Sequence, residues 1–600
     1  MLPQINSKSE SITMLNTFLG LNRNLRINES EFSDLKNITN DYYPVIGNRK
    51  KRGIITNLTK PQGVLGGKYL AYVDDDKLYY NFKEICVLEK TGEERILVMM
   101  GAYLCVFPDG VIYNTYDEKI SDIANETSAD NVKISICKLD GTVYQEGVNV
   151  VTSKTEPTDT SMYWIDTSQD TVVMKVYSDT YAAWVSVPTT YVRLSAAGIG
   201  KGFSAYDAAK IDGIAAKGYN DYDFNQTNII YDCGDDYLII EGLAKTVGTN
   251  AGTVTVKREF PEMDFVTEQD NRLWGCSSKN HEIYACKQGD PKNWNFFGGL
   301  DSDSYAATVG TQNDFTGAVS YGGYVFFFKE DGYHRLYGTK PSNYELIWKP
   351  GRGIQKGSEK SIAIVNGYLF FKARDAVCCY SGSIEPISSA LGTQPYYEAI
   401  AGVYRDKYYV GMRDEDYNYS LYVFDSTKNT WTVEDDIIIS YMAYANDGMY
   451  IIDHDNRMFV VNSEIIYTYI FPMDGHRTEE FWYPGDESYP GVMMNGDLED
   501  QIAWMLESGD IGMDSPYQKY IKRMILRLEM DAESCLKIEI MYDSTGSWEQ
   551  VMEYYCARKK SFELPVPVRR CDHFRYRLSG WGEIRLYSIA KAMEEGSGKA

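Results

Sequence analysis

From Gly66 onward the hydrophobic positions fall into short runs that come in pairs, separated by Gly, Asp and Asn turns. Lys68–Val73 and Lys77–Asn81 flank Asp74-Asp75-Asp76, which reads as a hairpin. Ile96–Met100, Tyr103–Phe107 and Val111–Asn114 follow, broken by Gly101 and by Pro108-Asp109-Gly110. After about residue 260 the same texture returns with a period of roughly 35–50 residues. Its five units begin at Phe265, Gly317, Ile362, Ala401 and Ser440, and their later strands include Glu282–Cys286, Tyr333–Gly338, Val377–Tyr380, Leu421–Phe424 and Met458–Val461. Each unit reads as strand, tight turn, strand, turn, strand, with an aromatic second strand. A sheet of that kind cannot cover both of its faces alone and must pack on neighbours, which predicts the blades of a β-propeller, six or seven in number. Two units carry an Asp followed by a Trp: Asp290-Pro-Lys-Asn-Trp294 and Asp425-Ser-Thr-Lys-Asn-Thr-Trp431. The Asp can cap the turn through backbone N–H groups, and the Trp can then fold onto the adjacent sheet.

The pattern predicts an all-β chain in five parts. Residues 1–60 are polar with isolated hydrophobes and read as an arm or inter-subunit strand, ending near the basic tetrad Arg49-Lys50-Lys51-Arg52, a solvated loop or a contact to an acidic neighbour. Residues 61–117 hold the first blades. Residues 118–258 are an inserted β domain, in which Tyr163–Asp166, Thr171–Tyr177, Trp184–Val187 and Thr190–Leu194 look like an antiparallel meander. Residues 259–480 hold the remaining blades. Residues 481–600 supply about seven strands, enough for a C-terminal β-sandwich, with a disordered tail from Glu594.

Composition adds limits. The 50 tyrosines suit strand faces and wet interfaces. A formal charge of −25 argues against a protein that grips nucleic acid by its phosphates; an acidic wall would repel DNA, which is useful only where DNA must slide past without sticking. The 11 cysteines include no C-x-x-C pair and read as reduced and buried; the 5 histidines form no H-x-x-x-H pair. The N-terminal segment lacks the form of a secretory signal and no run is long enough for a membrane span, so folding in a cytoplasm is expected.

Motifs that suggest chemistry are weak. Gly198-Ile-Gly-Lys-Gly matches neither phosphate-loop pattern. Asp74-Asp75-Asp76 and Asp232-Cys233-Gly234-Asp235-Asp236 lack calcium-loop spacing and read as hairpin turns. Asp boxes also occur in sialidase propellers, but Tyr is too abundant here for a nucleophile to be singled out. No Ser-His-Asp or Cys-His arrangement has a local signature. The sequence therefore nominates no catalytic, cofactor-binding or metal-ligating residue, implies no cofactor, and leads to the expectation of a protein that is not an enzyme.

Three stretches carry a family resemblance. Gly20-Leu-Asn-Arg-Asn-Leu-Arg-Ile-Asn-Glu, Glu31-Phe-Ser-Asp-Leu-Lys-Asn and Tyr43-Pro-Val-Ile-Gly-Asn-Arg form an opening motif. Asn271-Arg-Leu-Trp-Gly-Cys, Glu282–Trp294 and Phe326-Phe-Phe-Lys-Glu stand in the middle, and Leu506-Glu-Ser-Gly-Asp-Ile-Gly with Arg570-Cys-Asp-His-Phe-Arg at the end. Together they resemble a family of propeller proteins encoded among the virion genes of tailed bacteriophages, often labelled tail stabilisation proteins and similar in organisation to tail-nozzle proteins. The resemblance implies a structural protein of the phage tail or neck. It would be a homo-oligomer in a ring, a hexamer in the nozzle case, touching neighbouring tail or neck proteins and meeting genomic DNA transiently during ejection. It implies no catalytic residues. The alternatives are a receptor- or glycan-binding propeller at the tail tip, contacting host surface glycan, and a glycoside hydrolase.

Overall fold

The computed structural model describes residues 11–90, 92–461, 499, 501–531, 533–555, 561–566 and 569–595. Among them the regular structure is strand, interrupted by four 3₁₀ segments of three residues each. The fold is all-β: a β-propeller with an inserted β domain and a terminal β-sandwich.

Among the described residues the blades number seven, each a four-stranded antiparallel sheet. In chain order they span residues 61–87, 96–122, 265–308, 317–350, 363–386, 397–433 and 439–460, the last completed by Gly53–Asn57. The five repeated units of the sequence are the third to seventh blades. The stretch before the insertion holds two blades, which settles the count at the upper of the two expected values. Their second strands explain the aromatic runs. Val325–Lys329, Leu369–Lys372 and Lys407–Met412 are buried at every position, because a middle strand of a blade has a neighbouring sheet on each face and loses the alternation of a one-sided strand.

Both Asp-to-Trp turns form as expected. Asp425 Oδ1 accepts from the backbone N–H groups of Thr427 and Lys428, each at 3.0 Å. Trp431 then lies on Phe424, ring centroids 5.0 Å apart, and its indole N–H donates to Ile387 O of the preceding blade at 3.0 Å. Asp290 caps Lys292 N at 3.0 Å, and Trp294 meets Phe107 of the second blade edge-on.

The chain divides into two compact units, one from the described residues of Met1–Arg95, Phe328–Tyr333 and Lys349–Ala600, the other from Ile96–Phe327 and His334–Trp348. The first unit contains a feature with no local signal in the sequence. Where residues 1–60 read as an arm, the described part of them runs instead through two modules of its own chain. Gly53–Asn57 is the outer strand of the seventh blade, pairing antiparallel with Arg457–Val460. Gly20–Leu21 and Glu31–Lys36 enter a six-stranded sheet beside Ala503–Ser508. Ser11–Leu15, Ile38–Thr39 and Ile46–Asn48 enter a seven-stranded sheet around Ile584–Glu595 and Lys519–Met530. Phe18, Leu21, Phe32, Leu35, Ile38 and Ile46 thereby join Trp504, Leu526, Leu536 and Tyr576 in one core with Tyr408, Phe424 and Trp431 of the sixth blade.

The pattern of Lys519–Met530 shows how register follows hydrophobicity. Met524, Leu526, Leu528 and Met530 are buried in alternation, while Ile521 is out of phase with them. A register shift between Ile521 and Arg523 inserts one residue and turns Ile521 back to the core side.

In the second unit the insertion folds as an eight-stranded sheet and a separate four-stranded one. Tyr163–Asp166, Val173–Ser178 and Ala183–Ser186 form the expected meander, joined in parallel by Val150–Ser153, while Tyr191–Ser195 crosses to the larger sheet. The insertion is pinned to the third blade through the Asp-to-Trp turn. Asn293 donates to Asp207 at 2.9 Å and to Asp290 at 2.6 Å, and accepts from Ala208 N at 2.7 Å. Buried Arg258 completes the joint, donating to Asp207 and to Ile123 O. The tail expected to be disordered from Glu594 begins instead in strand, Glu594 and Glu595 pairing with Tyr520 and Lys519; the boundary placed at residue 480 and residues 596–600 lie outside the described residues.

Replacing Trp431 by Ala removes a large buried side chain and its bond to the fifth blade. The variant is expected to lose about 3–5 kcal/mol, as for other buried Trp and Phe truncations, measured by urea unfolding followed by fluorescence and far-UV circular dichroism.

Candidate functional site

The basic tetrad is divided by the fold. Arg49 and Arg52 are buried, Arg52 to 1% exposure, because the strands on either side of them are committed to different modules. Arg52 donates to Glu434 at 2.6 Å and to Asp435 at 2.8 Å. Arg49 donates to Glu499 at 2.6 Å and to Asp435 at 3.1 Å, and Glu499 also accepts from Arg52 N at 2.7 Å. Burial works to raise the Asp435 carboxyl, but Arg52 and Arg49 outweigh it and hold that group below the ordinary carboxylate range. Desolvation disfavours the Arg52 cation; Asp435, Glu434 and Glu499 more than restore it, so both partners stay charged. A cavity of about 600 Å³ lies over this network. Its other charges are also matched, with Arg457 bound to Asp453 and Asp455, so it reads as a structural joint.

A second cleft, about 480 Å³, lies within the first unit. Lys60 and Pro61 come from the first blade, Lys360 from the turn before the fifth, Glu398 and Tyr419 from the sixth, and Tyr441 from the seventh. Glu398 sits in a β-bulge between Tyr397 and Ile400 with a φ of 53°. That left-handed conformation is strained for a side-chain-bearing residue, and such strain collects at functional positions. Glu398 is fixed on both oxygens, to Arg413 Nε at 2.9 Å and to the Tyr419 hydroxyl at 2.9 Å, yet its side chain is 48% exposed. Arg413 in turn lies over Tyr397 and Tyr417. Beside it, Glu94 accepts from Lys360 at 2.5 Å and from the Tyr441 hydroxyl at 3.2 Å, and the Lys360 ammonium stands 3.9 Å from the Tyr441 ring centre. Ile400, Ile438 and Ile439 supply an apolar floor.

The weak motifs resolve into turns. Asp75 and Asp76 have φ of 48° and 61° in a tight hairpin, and Asp74 accepts from Thr59 N and Lys60 N. Asp235 and Asp236 turn the hairpin between Thr227–Gly234 and Tyr237–Glu241, and the glycine loop folds onto it. Gly198 N donates to Asp236, and a Cβ at Gly200 would lie 2.1 Å from Gly234 O. Among the described residues no cluster of His, Cys, Asp and Glu could hold a metal ion, and no helix is long and apolar enough to cross a membrane. The inserted domain has a smaller cleft of about 270 Å³, where Tyr144 packs edge-on against Tyr163 and Lys138 lies over the same ring.

One buried cation had no sequence signal. Lys372 ends an apolar run, is 2% exposed, and donates to Gln355 and to the carbonyls of Ala373 and Arg374. Burial pulls its pKa down from the ordinary 10.5 to about 8, with Cys378 and Asp375 resisting.

No protein-family model matches the chain, and no curated protein matches it. Solved structures similar to it include PorZ, a surface component of the type-IX secretion system of Porphyromonas gingivalis. That chain is 10% identical, over 91% of this chain and 82% of its own, with a TM-score of 0.24. Another is an exo-β-1,3-galactanase from Phanerochaete chrysosporium, 8% identical over 53% of this chain and 92% of its own, TM-score 0.18. A third is an engineered GH43 glycoside hydrolase with endo-xylanase and exo-arabinofuranosidase activity, 9% identical over 55% and 97%, TM-score 0.18. The presence of glycoside hydrolases among the similar structures overturns the expectation that the chain is not an enzyme, and that expectation is withdrawn. At these identities and scores the likeness assigns neither a reaction nor a substrate to this chain. The chain is a β-propeller protein.

Two stability predictions follow from the buried charges. Arg52→Met leaves three carboxylates to share Arg49 alone and is expected to cost about 3–5 kcal/mol in urea unfolding at neutral pH. The loss should shrink in acid: a carboxyl with a lowered folded pKa, such as Asp435, stabilises above its unfolded value and ceases to as pH falls through the folded one. For Lys372 the sign is opposite. The unfolded state binds the proton more tightly, so stability rises as pH goes from about 8 to 10.5. A shift of that size corresponds to roughly 3 kcal/mol, and the slope should vanish in Lys372→Met, measured by denaturation at successive pH values.

Proposed function

We propose that the chain is a structural component of a tailed-phage virion, forming a ring or nozzle in the tail or neck through which DNA passes. The observation that carries this reading is the lacing of the two chain ends. Residues 20–57 are bonded into both sheets of the terminal sandwich and into the last blade. A pull on the propeller is thus shared by strand pairings at both ends of the sequence, a construction suited to a part that must hold under load. The opening, middle and closing motifs that resemble tail stabilisation proteins agree with it.

In this reading the chain assembles with itself in a ring of about six copies, since cyclic assemblies reuse one heterologous interface. It touches neighbouring tail or neck proteins and meets DNA only in passing. Six copies at −25 each would carry on the order of −150 formal charges, screened by salt beyond about 10 Å. An acidic wall of that kind lowers DNA adhesion during ejection. Assembly takes place in the bacterial cytoplasm and the final location is the virion.

A density map of the purified virion checks this reading directly. The expected result is a ring of this chain in the tail or neck, around a channel with a net acidic lining. Absence of the chain from virions by mass spectrometry, or a basic lining, would refute it.

A further inference from the structure

The cleft around Glu398 has features the virion reading does not use. A glutamate occupies a left-handed position that glycine or asparagine would fill with less strain. Its two oxygens are nevertheless held by Arg413 and by the Tyr419 hydroxyl, and its side chain remains half exposed toward the cavity. Pairing with Arg413 accounts for an acidic side chain at this bulge, but not for its remaining open on the cavity. A second half-exposed carboxylate, Glu94, holds Lys360 and the Tyr441 hydroxyl in the same way. In both groups the tyrosine hydroxyl spends its proton on the carboxylate, which leaves its oxygen lone pairs as acceptors.

We propose that this cleft binds a neutral saccharide. Lys360 offers N–H donors, and Glu398 and the two tyrosine oxygens offer acceptors, at fixed positions around a floor of Pro61, Ile400 and Ile439. A pyranose ring presents the complementary set: hydroxyls that both donate and accept at its rim, and C–H groups on its face. The volume of about 480 Å³ lies in the range of small-ligand cavities and has room for a short stretch of a polysaccharide. The charge pattern separates the saccharide from other ligands. Phosphate and other polyanions would meet Glu398 in the lining, while the charge of Lys360 is already offset by Glu94 beside it. A neutral polyol meets no such opposition. The site stands on the first unit alone, and it stands whether or not the chain is part of a virion.

The test is affinity electrophoresis of the full chain through gels containing dextran, xylan, galactan or mannan, with a heparin gel alongside. The wild-type protein is expected to be retarded by at least one neutral polymer. Glu398→Gln and Tyr441→Phe should each weaken that retardation at least tenfold in apparent dissociation constant. Glu398→Gly should abolish it while melting no lower than wild type, since relief of the left-handed strain offsets the lost ion pair. No retardation by any of the four neutral polymers overturns the proposal. So does retardation by heparin alone, or equal retardation of wild type and all variants. A glycine variant that melts lower and still binds would assign Glu398 to holding Arg413 in place and would likewise overturn it.

Discussion

Two arginines buried among three carboxylates hold the start of this chain to its end. Arg49 and Arg52 lie between the strand Ile46–Asn48, which belongs to the sandwich, and the strand Gly53–Asn57, which belongs to the last blade. The carboxylates come from the loop after the sixth blade and from Glu499, just before the sandwich resumes. Removing either sign would strand the other in a low-dielectric interior, so the network is stable only when complete. Its value is in placement more than in energy. A hydrophobic joint could be as strong, but the paired forks of two guanidinium groups fix direction as well as distance. These five side chains add a fixed polar joint to the strand pairing and shared core that hold the seventh blade and the sandwich within the first unit.

The blades were legible in sequence for a physical reason. A sheet packed on both faces needs long aromatic and aliphatic runs, as in Tyr-Val-Phe-Phe-Phe and Tyr-Leu-Phe-Phe, and a four-stranded meander needs tight turns at regular intervals. The Asp-to-Trp turns were legible because both partners lie within one turn of chain. The lacing of residues 11–57 was not. A strand such as Gly-Ile-Ile-Thr-Asn is ordinary on its own, and nothing local announces a partner in the seventh blade. The arginines misled in the same way: a run of four basic residues reads as a solvated loop until two of them are seen to face carboxylates far along the chain.

The cleft residues were hidden for a related reason. Lys360, Glu398, Tyr419 and Tyr441 come from three different blades, so no spacing in the sequence links them. The position of Glu398 depends on a bulge, which is a property of backbone pairing and leaves no fixed residue pattern. The expectation of a non-enzyme rested on the absence of linear motifs, and a propeller gathers its side chains from separate loops, where such motifs need not exist. Lys372 illustrates the converse hazard. A lysine closing an apolar run looks like the place where a strand meets water, yet here it is enclosed, with its ammonium donating to Gln355 and to backbone carbonyls.

The lacing also sets an order of events during synthesis. Arg52 must wait for Glu434, which is 382 residues further on, and Asn48 for Ile584, 536 residues further on. At typical elongation rates of about 5–20 residues per second, the first of these waits lasts about 20–80 s on the ribosome. Through that interval Phe18, Leu21, Phe32 and Ile38 have no core to enter. The polar spacing between them, which makes residues 1–60 look like an arm, is therefore also what keeps a nascent segment soluble until its partners emerge. Residues 46–57 thus complete their pairings only after segments made hundreds of residues later have emerged.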